Sequence, residues 1–159
     1  MLSTSEKHMK ADSLAHHLDI SRVFDAPRDL VFRAWTDVTQ LNEWCHLDVL
    51  TTTSMRIDPR VGGEWVIELR AGDGTEVVIW RQFRDITPPA RLVFHEVCRY
   101  GGKVILDGML TVTFDDENGK TRLAIACDLT TPFDEENQQG WRDGWCVLFD
   151  RLAARMAAD

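Results

Sequence analysis

Residues 135–157, EENQQGWRDGWCVLFDRLAARMA, decide how the rest of the chain is read. Trp141, Trp145, Leu148, Phe149, Leu152 and Met156 recur at spacings of three and four, the apolar stripe of an amphipathic helix. Asp134 is placed to cap it. Gly140 and Gly144 weaken it by ~1 kcal/mol each relative to Ala, and both permit close approach of another backbone.

Upstream, the period falls from 3.6 to 2. Leu14–Phe24 alternates, with Leu18, Ile20 and Phe24 on one face and Asp19 and Ser21 on the other. Ala26-Pro27 opens a helix whose stripe is Leu30, Val31, Ala34 and Trp35. Thr39 is expected to cap a second short helix over Gln40–Trp44. Strands are then predicted over Met55–Asp58, Glu64–Arg70, Thr75–Ile86, Leu92–Cys98, Lys103–Phe114 and Thr121–Leu129. Asp73-Gly74 and Asn118-Gly119 are hairpin turns, so the neighbours they join run antiparallel. The order predicts an α+β fold: a curved antiparallel sheet of about seven strands, two short helices after the first strand, and a long C-terminal helix. A sheet must cover its apolar face, and only the last helix is long enough to do so.

Composition bounds the function. The 159 residues form one expected domain, residues 14–159, preceded by a polar, flexible segment at 1–13. Lys+Arg number 18 against 26 Asp+Glu, a net charge of −8. That balance argues against a nucleic-acid partner, whose phosphates call for a basic patch. No apolar run reaches the ~20 residues that cross a bilayer, so no membrane partner is expected. Cys45, Cys98, Cys127 and Cys146 form no CxxC pair and are expected to be reduced thiols of a cytoplasmic protein. Lys7, Lys10, Lys103 and Lys120 lie in the polar N-terminal segment or beside turns, so no Schiff-base lysine is expected. No serine sits in a GxSxG turn.

Several phrases resemble one family. They are Arg22-Val-Phe-Asp-Ala-Pro27, Val31-Phe-Arg-Ala-Trp35-Thr-Asp37, Leu41-Asn-Glu-Trp44 and Arg60-Val-Gly-Gly63-Glu-Trp65. Further on come Ile86-Thr-Pro-Pro89-Ala-Arg-Leu-Val-Phe94, Thr111-Val-Thr-Phe114 with Gly119-Lys-Thr-Arg-Leu123, and Gly140-Trp141. Over roughly residues 14–156 this resembles the START/Bet v1-like (SRPBCC) superfamily. More narrowly, it is similar to the family named after the activator of Hsp90 ATPase (AHSA1-like). The resemblance implies a helix-grip fold, in which the sheet wraps the last helix and leaves a cavity between them. Where the family usually continues Trp-Trp-Gly-Pro, this chain has Trp44-Cys45-His46-Leu47. That stretch usually borders the cavity mouth, so no ligand preference is carried over.

In such a fold Trp141 and Trp145 form one wall of the cavity, Trp65 and Trp80 come from the sheet, and Trp44, Cys45 and His46 from the entrance. Core packing is the competing account of these aromatics, since stripes at helical spacing usually serve it. Phe94 and Glu96 share phase with Leu92 on a strand, which makes Glu96 the inward acidic candidate. An inward charge needs a partner, and Arg22, in phase with Ile20 and Phe24, is the one conjectured. Asp107 is expected to point outward; Arg81 and His95 are charged or polar interruptions of apolar strands. No metal site is expected, because His95 and Cys98 fall on opposite faces of one strand. Cys45 follows a helix C-terminus, whose dipole disfavours a thiolate nucleophile.

The expected function is binding of a small hydrophobic molecule without chemistry and without a cofactor. One alternative is a cyclase/dehydratase/hydrolase-type enzyme using an inward carboxylate or histidine, with catalytic residues unassigned. Another is a chaperone-associated protein-binding module. Domains of this kind often pair, so a homodimer is the partner state that the resemblance suggests.

Overall fold

Alternating segments rich in Val, Ile, Phe and Trp form seven strands in the computed structural model, which describes residues 15–132 and 135–158. The chain runs β1 (Ala15–Phe24), α1 (Arg28–Ala34), α2 (Val38–Trp44), β2 (Leu50–Ile57), β3 (Glu64–Ala71) and β4 (Glu76–Thr87). It continues through β5 (Arg91–Tyr100), β6 (Lys103–Glu117), β7 (Lys120–Thr130) and α3 (Glu135–Ala157). All pairs are antiparallel, in the order β1-β7-β6-β5-β4-β3-β2. Strands β2 to β7 are a meander, and β1 adds to the free edge of β7. The predicted class and element order hold. The segment at 1–13, Leu14 and the Asp134 cap lie outside the described residues.

Local chemistry explains where the boundaries differ. Helix α2 starts at Val38 because Asp37, not Thr39, is its cap: the Asp37 carboxylate accepts the Thr39 N–H at 3.0 Å. Strand β2 begins five residues before the expected Met55, at Leu50. Its run Thr51-Thr52-Thr53-Ser54 lacks an apolar alternation because β2 is an edge strand with a bulge between Thr52 and Ser54. The extra residue, Thr53, donates its hydroxyl to the Glu68 carbonyl at 3.1 Å.

Two more bulges lie in the middle of the sheet. In β4 the register shifts between Phe83 and Asp85, so Val77, Ile79, Arg81 and Phe83 face inward before it and Ile86 after it. In β6, Cys98 pairs with Leu106 but Arg99 pairs with Val104, which leaves Ile105 as the extra residue.

The inner face is filled by α1, α2 and α3. Trp35, at the end of α1, is fully buried. It stacks on Trp145 of α3 (centroids 5.7 Å, planes 13° apart) and tilts against Trp44 of α2 at 5.1 Å. It meets Trp65 of β3 edge-on at 6.4 Å. Trp44 donates its indole N–H to the Ala34 carbonyl at 2.9 Å, which locks the two short helices together. Three ion pairs hold α3 in place: Arg22–Asp150 at 2.7 Å, Arg151–Asp48 at 2.8 Å and Arg155–Glu43 at 2.5 Å. Each keeps a carboxylate in solvent, so each contributes about 1 kcal/mol or less.

Glycine reads differently in sheet and helix. A Cβ on Gly108 of β6 would lie 2.8 Å from the Asp128 carbonyl oxygen and 2.9 Å from the Leu129 Cβ of the paired strand. A Cβ on Gly140 of α3 would meet nothing within 4 Å. In denaturant melts, Gly108→Ala is expected to lose roughly 1–3 kcal/mol to overpacking. Gly140→Ala is expected to gain about 1 kcal/mol of helix propensity.

Candidate functional site

Between the sheet and the N-terminal half of α3 lies a cavity of about 340 Å³. Its floor comes from Ile79 and Arg81 of β4, Glu96 and Cys98 of β5, Ile105 and Leu106 of β6, and Leu129 of β7. Its roof is Gln138, Gly140, Trp141, Gly144, Trp145 and Leu148 of α3, with Leu47 from the loop after α2 and Thr131 after β7. The walls are mostly apolar. The β6 bulge matters here, because it lets both Ile105 and Leu106 contribute to the wall. Thr131 holds the bulge by donating its hydroxyl to the Ile105 carbonyl at 2.8 Å.

One charged pair interrupts the apolar wall. The β4–β5 register sets Arg81 directly opposite Glu96. Arg81 donates its Nε–H to Glu96 Oε1 at 2.6 Å, with the two side chains 5% and 7% exposed. The guanidinium lies over the Trp65 ring at 4.1 Å and within 5.2 Å of the Phe94 centroid. Stacking on an aromatic face compensates part of the lost hydration. The conjectured Arg22–Glu96 pair does not form. Arg22 sits on β1, three strands from β5 and so roughly 14 Å away at sheet spacing. It pairs with Asp150 instead.

The sequence-predicted site residues separate into three groups. Glu96, Trp141 and Trp145 line the cavity. Trp44, Trp65, Phe94 and Cys45 are buried in the core behind it, with Trp65 and Phe94 supporting Arg81. Trp80 and His46 are elsewhere. Trp80 lies on the outer face, where it donates its indole N–H to Glu64 and meets His95 edge-on at 5.4 Å. Its parity explains this: the neighbours Ile79 and Arg81 face inward, so Trp80 cannot. His46 is half-buried, its Nε2 3.2 Å from the Glu43 carbonyl oxygen, and the next residue, Leu47, reaches the cavity in its place.

His95 and Asp107 form an outward pair, Nε2 to Oδ1 2.7 Å, while Cys98 faces the cavity. Among the described residues no three His, Cys, Asp or Glu side chains gather in a metal-binding group. Arg81, one of the polar interruptions of the apolar strands, joins Glu96 in the cavity lining, while His95 and Asp107 do not. Its shared phase with Val77, Ile79 and Phe83 was the available signal.

The thiols near the site are held protonated. Burial pushes the Cys45 thiol up, and the adjacent Arg81 guanidinium opposes this only in part. Burial raises Cys98 to about 12, and it raises Cys127 as well. Cys146 on α3 is exposed. An aromatic disulfide reagent at pH 8 is therefore expected to titrate one fast thiol in the native chain and four after denaturation.

The ion pair makes a sharper prediction. Arg81→Met or Glu96→Gln alone leaves one buried group without its partner and is expected to lose roughly 3–5 kcal/mol in equilibrium unfolding. Arg81→Met with Glu96→Met removes both charges and is expected to recover most of that loss.

The model of the family described as activator of Hsp90 ATPase homolog 1-like protein matches residues 25–157. Solved structures share the fold. A protein from Rhizobium leguminosarum is 24% identical with a TM-score of 0.82, covering 92% of this chain and 98% of its own. The Mll3558 protein from Rhizobium loti is 29% identical with a TM-score of 0.78, covering 89% and 96%. Protein CV1439 from Chromobacterium violaceum is 23% identical with a TM-score of 0.77, covering 90% and 98%. No curated protein matches the chain. No helix among the described residues is long and apolar enough to cross a membrane.

Proposed function

This chain belongs to the family of activator of Hsp90 ATPase homolog 1-like proteins, and on that premise we propose that it binds one small apolar molecule in the cavity beneath α3. The observation that carries the reading is the cavity itself. Its volume of about 340 Å³ falls within the range of small-molecule pockets. Apolar walls and one polar locus are what such pockets present: the walls supply transfer free energy, and the polar locus orients the ligand.

The lining supports binding in preference to chemistry. Its ionisable side chains are Arg81, Glu96 and Cys98. Arg81 occupies Glu96, and the Cys98 thiol is pushed up to about 12, which leaves it a poor nucleophile at neutral pH. The four unpaired thiols fit the reducing cytoplasm in which we place it.

Trp141 and Trp145 make the proposal testable by fluorescence, because both indoles line the cavity. Titration with a chemically broad set of neutral apolar compounds is expected to give a saturable shift or quench of tryptophan emission. Gly144→Leu projects a side chain from the roof, where a Cβ would meet only Leu47 at 4.0 Å. It is expected to weaken binding at least ~10-fold by occupying the ligand's space, with the far-ultraviolet spectrum unchanged. Emission that stays flat across the whole set would sink the proposal.

A further inference from the structure

The buried pair on the cavity wall has more hydrogen-bonding capacity than the protein uses. A guanidinium has five N–H donors. Arg81 gives its Nε–H to Glu96 Oε1 and also hydrogen-bonds the Cys45 thiol, and its Nη1 has no acceptor in the protein. The Cys45 thiol beside it is held neutral by burial, so it supplies no counter-charge. Across the cavity, the indole Nε1 of Trp141 is a second donor shut off from solvent with no acceptor. Buried donors are nearly always satisfied, and a charged one left short is costly. The surplus is therefore of donors, on both floor and roof of a site whose remaining surface is mainly hydrocarbon.

Charge narrows the complement. Arg81 and Glu96 together are neutral, so a carboxylate ligand would bring an uncompensated negative charge into an apolar cavity beside Glu96. A neutral oxygen acceptor meets the donors without that penalty. We propose that the ligand is an uncharged, mainly hydrocarbon molecule bearing a carbonyl oxygen, which accepts from the Arg81 guanidinium. This rests on the cavity-binding reading above and adds the ligand's chemical class to it. Arg81 thereby acts as the specificity residue, and Glu96 as the group that holds its guanidinium over Trp65 and keeps the site neutral.

The test uses two probes of one shape: the neutral naphthalene ketone prodan, and its counterpart with the carbonyl reduced to a methylene. Calorimetry measures both against the unsubstituted 159-residue chain and against Arg81→Met/Glu96→Met. The ratio of ketone to methylene affinity is expected to fall about 10-fold or more in the double variant, the weight of a hydrogen bond from a charged donor. Infrared spectra of the wild-type complex give a second readout that needs no variant: the bound carbonyl stretch is expected below its value in hexane. If both probes bind but the affinity ratio does not change, or the stretch stays at its hexane value, the carbonyl assignment fails and the apolar cavity reading stands. If neither probe binds while other neutral apolar compounds shift the tryptophan emission, the carbonyl assignment fails alone; if those compounds give no shift either, the cavity reading fails with it. A naphthalene carboxylate of the same size binding more tightly than the ketone would overturn the uncharged class.

Discussion

One indole joins the layers of this protein. Trp35 closes α1, yet its ring is in contact with Trp44 of α2, Trp65 of β3, Phe114 of β6 and Trp145 of α3. Aromatic pairs of this geometry contribute about 0.5–1.5 kcal/mol each beyond the area they bury. More important is the constraint they impose. The stacked contact with Trp145 fixes the distance from α3 to the short helices, and the edge-on contact with Trp65 fixes the distance to the sheet. Trp145 is where the cluster ends and the cavity begins: one part of its indole stacks on Trp35, and the residue also lines the roof with Trp141.

That division explains why core and cavity adjoin without merging. Trp65 and Phe94 belong to the packed side, and their faces carry the guanidinium that borders the open side. Arg81 is thus a boundary residue: aromatic carbon beneath it, a carboxylate beside it and the cavity in front. A lysine there would lose both the planar stacking surface and the fixed fork of donors.

The architecture was legible because it depends on periodicity. The 3.6-residue stripe of α3, the two-residue alternation of β3 and the turns at Asp73-Gly74 and Asn118-Gly119 are local signals, and the tertiary structure did not override them. Glu96 was readable as inward from its phase with Leu92 and Phe94. Trp80, expected at the cavity for its residue type, faces outward by parity, because Ile79, Arg81 and Phe83 on the same strand face inward. The partner of Glu96 depends on which strands are neighbours and in what register, which one strand's pattern does not contain. The bulges at Thr53, Arg84 and Ile105 are each a single inserted residue with no compositional mark. The cavity itself consists of missing atoms and has no signature in the residues present.

Two of those missing atoms have an address. The roof of the cavity includes Gly140 and Gly144, one helical turn apart, where neither a tight turn nor a clash demands glycine. Helix stability there falls short of its alanine value, and the difference is expressed as empty space. Such positions change independently of the scaffold: the sheet, the Trp35 cluster and the ion pair do not depend on them. Descendants of this chain can therefore shrink the chamber stepwise, alanine first and larger residues later, with the first step stabilising the helix. Chamber size in this architecture is open to gradual inheritance, whereas the charged locus, needing two matched residues at once, is not.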